Sequence, residues 1–435
     1  MPLNIPDPQT KRVVIVGGGF GGLEIARRLA DTPYQVVLLD RNNYHQFQPL
    51  FYQVAMAGLE PSSIVFPFRK VLQKAENVLF RVASLQEIFP SEKYVMTEQG
   101  RIKYDYLVLA MGADTNFFGN QRIAENSIPM KSVSEALFLR NSIWGDYEKA
   151  LLVQTNEEQQ SLMDIAIVGG GPTGVEIAGA LAEMKRDIIP KEYKELNYRE
   201  IDICLIQSGD KLLNTMSENA SKSSLAFLQK LGVRVMLNTQ VVDYDGETLT
   251  MKDGSTMKSR KLIWAAGIAA NPAKGLPESV VTYGKRIKVN GLNQVEGFDN
   301  IFAVGDICYT ESEAKFPKGH PQVAQVAIQQ GKNVAKNLIS LTKNRAVKNF
   351  VYRDLGSMAT VGRHKAVVDL PFWRFQGAFA WFVWLFVHLF AIIGVKNKIF
   401  IFLNWLWSYI TYDQALRLII KPYSRKKIEK TEPKV

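Results

Sequence analysis

The sequence carries one motif twice: "VVIVGGGFGGLEIARRLA" begins at Val13 and "IAIVGGGPTGVEIAGALA" begins at Ile165. Gly17, Gly19 and Gly22 recur as Gly169, Gly171 and Gly174. In each copy a short apolar run leads into G-x-G-x-x-G and then into a helical pattern rich in Ala and Leu. The first glycine permits the tight turn, the second lets a pyrophosphate approach the backbone, and the third lets helix and strand pack. The amides at the helix N-terminus then face the phosphates. One copy of such a motif is weak, but two in the same strand–turn–helix setting predict two dinucleotide-binding βαβ units.

Other stretches fit this frame. "QVVLLD" ends a second strand at Asp40, about 20 residues past the first glycines, where a carboxylate can accept hydrogen bonds from a ribose. "YDYLVLAMGAD" and "KLIWAAGIAAN" are apolar strands ending in small residues, among them Ala110, Gly112, Ala266 and Gly267, where backbone can approach a cofactor. "IFAVGDICY" ends at Gly305-Asp306, which places the aspartate beyond a strand's carboxyl end. The fold class is therefore α/β, with two Rossmann-like units, and 435 residues leave room for a third region.

In this order the motifs resemble the flavin-dependent disulfide-reductase-like superfamily over roughly residues 11–340. The resemblance implies an FAD domain, residues 1–125 and 290–345, interrupted by an NAD(P)H domain, residues 126–289, with residues 346–435 left as a C-terminal membrane-attachment region. It implies that Gly17, Gly19, Phe20, Gly22, Asp40, Arg41, Gln48, Leu50, Ala110 and Gly112 serve FAD, joined by Gly305, Asp306, Ala324 and Gln325. Asp40 would take the FAD ribose and Asp306 the ribityl chain. Gly169, Gly171, Gly174, Glu176, Gln207, Ala266 and Gly267 would serve NAD(P)H.

Cys204 and Cys308 are the only cysteines and stand far apart in the chain. That excludes a disulfide framework, favours a reducing compartment and removes the redox pair that a disulfide reductase or a sulfide:quinone oxidoreductase needs. The stretches "RNNYHQFQPLFYQVAMAGLEPSSIVFPFR", "GPTGVEIAGALAEM", "PQVAQVAIQQG" and "YRDLGSMATVGRHKAV" instead resemble the type II NADH:quinone oxidoreductases, over nearly the whole chain. The activity implied is hydride transfer from NADH to FAD and reduction of a membrane quinone, without proton pumping, by a homodimer. Gln325 and Gln329 are four residues apart and share a helix face. An amide both donates and accepts, which suits a quinone carbonyl in each protonation state. The resemblance places the quinone there, and gives Glu176 a part in positioning and in handling protons. Two other readings are an NAD(P)H-responsive flavoprotein adaptor and a reductase of a soluble electron carrier.

At the end of the strand "IDICLI", NADH-specific relatives usually carry a glutamate, and this chain has Gln207 with Lys211 nearby. A carboxylate would repel a 2′-phosphate whereas an amide can donate to it, so NADPH remains open as a second substrate. "DYDGETLTMKDG" lacks the ordered ligands of a calcium loop and reads as hairpin turns. His45, His320, His364 and His388 have no metal-ligand spacing, and no metal is expected.

The net charge is +11, and the basic residues Arg417, Lys421, Arg425, Lys426, Lys427, Lys430 and Lys434 crowd the C-terminus. Anionic phospholipid is the expected partner of that charge, and nucleic acid is not. The stretch from Phe375 to Val395, "FQGAFAWFVWLFVHLFAIIGV", is long enough as one helix to span hydrocarbon. After "KNK" comes "IFIFLNWLWSYITY", which is too short to do so. Trp373, Trp381, Trp384, Trp405 and Trp407 all fall in this region, as interfacial residues do. A spanning hairpin would strand the lysines on the far side, so a hairpin lying in one leaflet is the expectation. The stretch "MPLNIPDPQTKR" runs into a strand without the apolar run of a secretory signal, so the enzyme body is expected at the cytoplasmic face of the inner membrane. Where many relatives have a quinone-site lysine before the glycine of this segment, Gln376 precedes Gly377.

Overall fold

A computed structural model describes residues 3–411 and 416–420. Its frame is two five-stranded parallel sheets of like design. The first has the order Ile301–Ala303, Tyr106–Leu109, Arg12–Val16, Gln35–Asp40, Val78–Val82. The second runs Ile128–Pro129, Leu262–Trp264, Ile165–Val168, Ile203–Ile206, Arg234–Met236. Both faces of each sheet are covered, so the strands read as unbroken apolar runs, and every residue of Arg12–Val16 is buried. Each unit also carries a three-stranded antiparallel meander, at residues 85–103 and 241–258. The second contains the hairpin expected of "DYDGETLTMKDG": Asp245 accepts from the amides of Glu247 and Thr248 at 2.9 and 2.7 Å.

We label five helices: α1, Phe20–Arg28; α2, Pro172–Asp187; α3, Ala324–Thr342; α4, Ala378–Ala391; and α5, Val395–Thr411. Helices α1 and α3 cross closely, because a Cβ on Gly331 would lie 2.7 Å from the carbonyl oxygen of Gly21. The inserted unit is tied at its neck by antiparallel pairing of Ala113–Thr115 with Ile268–Ala270. Val280, Ile287, Val289 and Val295 pack in one core with Leu107 and Ile301, so the chain rejoins the first sheet's core ahead of residue 290.

The apolar C-terminal stretch is not one helix. Arg374–Gln376 is an edge strand against Ala366–Asp369, and Gly377 turns the chain at φ +88°. Helix α4 is 14 residues long, about 21 Å, short of the hydrocarbon thickness of roughly 30 Å. No helix among the described residues is long and apolar enough to cross a membrane. Lys396 and Lys398, expected in the turn, lie inside the first part of α5, and the break comes at Ile392–Gly394. The two helices are divided by face. Trp384, Ile392 and Ile401 are buried in the largest core, whereas Phe386, Phe390, Phe402 and Trp407 are 51–61% exposed. The basic residues from Lys421 onward lie outside the described residues. Arg417 pairs with Glu192.

Candidate active site

The two glycine turns have the same geometry. Gly17 (φ +101°) and Gly169 (φ +117°) could not carry a Cβ, which would meet the carbonyl oxygens of Ala110 and Ala265 at 2.4 and 2.3 Å. A Cβ on Gly22 or Gly174 would lie 1.9 Å from the carbonyl of the turn's own first glycine. At Gly19 the nearest atom is 4.0 Å away, and at Gly171 nothing stands within 4 Å. The middle position is thus open in both turns, and neither α1 nor α2 has a side-chain cap on its N-terminal amides. Two open cradles, each backed by uncapped amides, fit two pyrophosphates.

Beyond each cradle a side chain at the end of the second strand grips the turn. Asp40 accepts from the Gly18 amide at 2.6 Å and from the Asn42 amide at 2.7 Å. Burial raises its pKa, and these amides and Arg41 oppose the shift. In the second unit Gln207 accepts from the Gly170 amide at 2.8 Å. Because the amide donor fixes the oxygen end of Gln207, its NH2 end is the one presented outward.

The remaining expected residues divide into those facing open space and those serving the core. Gly112 (φ +65°) has nothing within 4 Å, Gln48 is exposed, and Arg41 reaches Asp114 at 3.6 Å. Phe20 packs edge-on to His45 and Phe47. Leu50 and Ala110 are buried core residues. Gly267 sits against the ring of Phe118, next to Ala266 in the same turn. The Gly305 amide donates to Gln330 at 2.7 Å. Burial raises the pKa of Asp306 while Lys131 and Arg286 pull it down, and its carboxylate has no hydrogen bond to any described residue. A part-buried carboxylate without a protein donor leaves its oxygens open to sugar-alcohol hydroxyls of a ligand. Burial pushes the thiols of Cys204 and Cys308 up to about 11, so neither is a ready nucleophile.

Gln325 and Gln329 do share a face of α3, which Ala324 begins, but their amides are engaged. Gln325 donates to the Gly356 carbonyl at 3.0 Å and accepts from the Leu355 amide at 3.1 Å. Gln329 does the same to Arg353, at 2.9 and 3.1 Å. The pair latches residues 353–356 to the helix, and each amide keeps one N–H and one lone pair for anything else. Gln376 is exposed on its edge strand.

Glu176 opens onto a cavity of about 130 Å³ between α2, the residues after Leu50 and the two C-terminal helices. Burial pushes its carboxyl up to about 8, and among the described residues its one hydrogen bond is a long 3.5 Å approach to the Thr360 amide. Farther along the same cavity Glu183 accepts from the Arg363 amide, and burial raises its pKa as well. Tyr52, Gln53, Trp381 and Trp405 also line it. Sequence reading passed over Tyr52, Gln53 and Glu183. The available signal was a polar pair inside the apolar run "PLFYQVAM" and a glutamate seven residues past Glu176, two helical turns along one face.

Comparison with known proteins gives the same picture. Residues 11–331 match the pyridine nucleotide-disulphide oxidoreductase family model, and residues 355–411 match the NDH2 C-terminal domain. The type II NADH:quinone oxidoreductase Ndh of Mycobacterium tuberculosis is 34% identical over 93% of this chain and 89% of its own length. The type II NADH:quinone oxidoreductase of Haemophilus influenzae is 31% identical over 83% of this chain and 87% of its own. In fold, the chain is similar to NDH2 from Plasmodium falciparum in complex with NADH, with TM-score 0.86 at 22% identity, covering 95% of this chain and 100% of that one. The chain belongs to the pyridine nucleotide-disulphide oxidoreductases and, within them, to the type II NADH:quinone oxidoreductases.

Proposed function

We infer that this protein oxidises NADH and reduces a quinone, with FAD between them. The observation that carries the reading is the pairing of two open glycine cradles with a separate cavity at Glu176 that reaches the apolar C-terminal helices. Residues 1–125 and the chain from about Val280 to 345 hold FAD, and the inserted residues between them hold the nicotinamide coenzyme. The amides of α1 and α2 take the two pyrophosphates, Asp40 and Gln207 face the adenosine riboses, and Asp306 faces the ribityl hydroxyls. Bound FAD supplies the two-electron chemistry that links NADH to the quinone. Reduction of a quinone by NADH consumes one proton from the medium. Glu176, with a pKa of about 8, holds a proton at neutral pH beside the cavity. Gln325 and Gln329 act chiefly by fixing the 353–356 segment, with their spare N–H groups available at the flavin side.

The outer face of α4 and α5 lies in one leaflet at the cytoplasmic side of the inner membrane, where an anionic phospholipid surface also meets the basic C-terminus. That places the cavity mouth where a lipid-soluble quinone can enter. The homodimer implied by family resemblance is tested by the mass of the detergent-solubilised protein. Steady-state oxidation of NADH and of NADPH, with and without a short-chain quinone, tests the activity. Flavin reduction that quinone cannot reverse would instead support a nicotinamide-responsive adaptor.

A further inference from the structure

One edge of the Glu176 cavity is a hydrogen-bonded row whose direction is fixed by donor chemistry. The indole N–H of Trp405, on α5, lies 2.7 Å from the side-chain oxygen of Gln53, and an indole can only donate. The oxygen end of Gln53 therefore faces Trp405, and its NH2 end faces the Tyr52 hydroxyl at 2.9 Å. An amide NH2 also can only donate, so Tyr52 accepts and its own proton points away from Gln53. Among the described residues, that contact is the hydroxyl's sole hydrogen bond. Tyr52 is 9% exposed and lines the same cavity as Glu176. Burial, with Glu176 and Glu183 adding to it, raises its pKa well above the ordinary tyrosine value, so the hydroxyl keeps its proton.

We propose that Tyr52 donates a hydrogen bond to a carbonyl oxygen of the quinone in this cavity, with Gln53 and Trp405 as positioning residues that hold the proton in that direction. The proposal rests on the reading that the cavity seats the quinone. An oxidised quinone head offers acceptors and no donors, so a wall that presents a turned-out hydroxyl complements it. The bond strengthens as electron density builds on that oxygen, so it favours reduction as well as binding.

The test uses the full-length, flavin-loaded protein in detergent, with a short-chain quinone at saturating NADH, and flavin content as the folding check. Tyr52→Phe should lower kcat/KM for quinone by about three- to tenfold, the size expected for one neutral hydrogen bond. Gln53→Glu leaves the hydroxyl in place but turns an acceptor towards it, and should give a loss of similar size. In the Tyr52→Phe background, Gln53→Glu should add little. Ala180→Leu, which narrows the cavity, tests the underlying seat. If Ala180→Leu lowers kcat/KM for quinone while Tyr52→Phe matches the parent, the hydrogen bond is overturned and the seat stands. If Ala180→Leu has no effect, the seat itself is wrong and this inference falls with it. Additive losses for Tyr52→Phe and Gln53→Glu would overturn the directional row.

Discussion

The side-chain oxygen of Gln207 accepts the amide proton of Gly170 at 2.8 Å, as Asp40 accepts that of Gly18 at 2.6 Å in the other unit. The two strands end alike, yet one carries a carboxylate and the other an amide, and under the proposed reading each meets an adenosine ribose. Coenzyme selectivity follows from that difference. Gln207→Glu should keep the bond to Gly170 while placing a negative charge outward. The NADPH/NADH ratio of kcat/KM should then fall by about tenfold or more, since only NADPH brings a phosphate to the new charge. Equal losses for both coenzymes would mean that residue 207 does not face the ribose.

Glu176 sets a pH dependence of stability. In the folded protein its carboxyl titrates near 8, whereas its ordinary value is 4.5. Between those values the unfolded chain binds fewer protons than the folded one, so this group's contribution is fully present below about pH 4.5 and is lost as pH rises through about 8. Glu176→Gln should flatten that slope. From pH 5 to pH 8 the parent's Tm should fall relative to the variant's by about 2–5 °C, followed by flavin fluorescence on heating. Parallel Tm curves would show that Glu176 is ionised in the folded state at neutral pH.

The α3 latch gives a separate test. Gln325→Leu removes both bonds to residues 355 and 356, whose backbone can turn to water instead, and should cost about 0.5–1.5 kcal/mol. Hydrogen exchange of the Leu355 amide should quicken before that of α3 itself. Quinone reduction should fall more than flavin reduction by NADH, because the latched segment leads into Thr360 at the Glu176 cavity. Unchanged exchange at Leu355 would show that the amide serves a ligand instead.

Membrane attachment should resist salt and yield to detergent, because burial of apolar surface is not screened as charge attraction is. Polar substitutions on the outer face, such as Phe386→Ser with Phe390→Ser, should release folded protein. Ending the chain before Phe372 should not, because Trp384 and Ile401 would leave the largest core. An impermeant amine label reaching Lys396 only from the side opposite the enzyme body would defeat the one-leaflet reading.

Much of the frame was legible in the sequence because the glycine turns obey steric rules that act over a few residues. Gly17 and Gly169 are required by carbonyls lying against them, and both strands before them are apolar enough to announce burial on two faces. The C-terminal hairpin was less legible. Hydropathy does not register that Phe375 pairs with Val368 in a sheet or that Gly377 breaks the run, since both depend on a partner strand. Helical spacing puts Gln325 and Gln329 on one face, as found, but their engagement with residues 353–356 is a tertiary contact that spacing cannot reveal. Tyr52 and Gln53 escaped notice for the same reason, because their direction is set by Trp405, more than 350 residues later.

The two sheets agree in the order of four strands, but they acquire the fifth, at the edge, at opposite times. The second unit's edge strand, Ile128–Pro129, precedes the rest of its sheet, whereas the first unit's, Ile301–Ala303, arrives about 190 residues after Leu109. On a ribosome adding about 5–20 residues per second, the first sheet waits roughly 10–40 s with the edge of Tyr106–Leu109 unpaired. The inserted unit can close meanwhile, so the later-encoded half is able to fold first. An unpaired apolar strand edge held open for that long is a site for nascent-chain chaperones, and stalls in translation between residues 130 and 300 should be the ones that leave the chain most prone to aggregate.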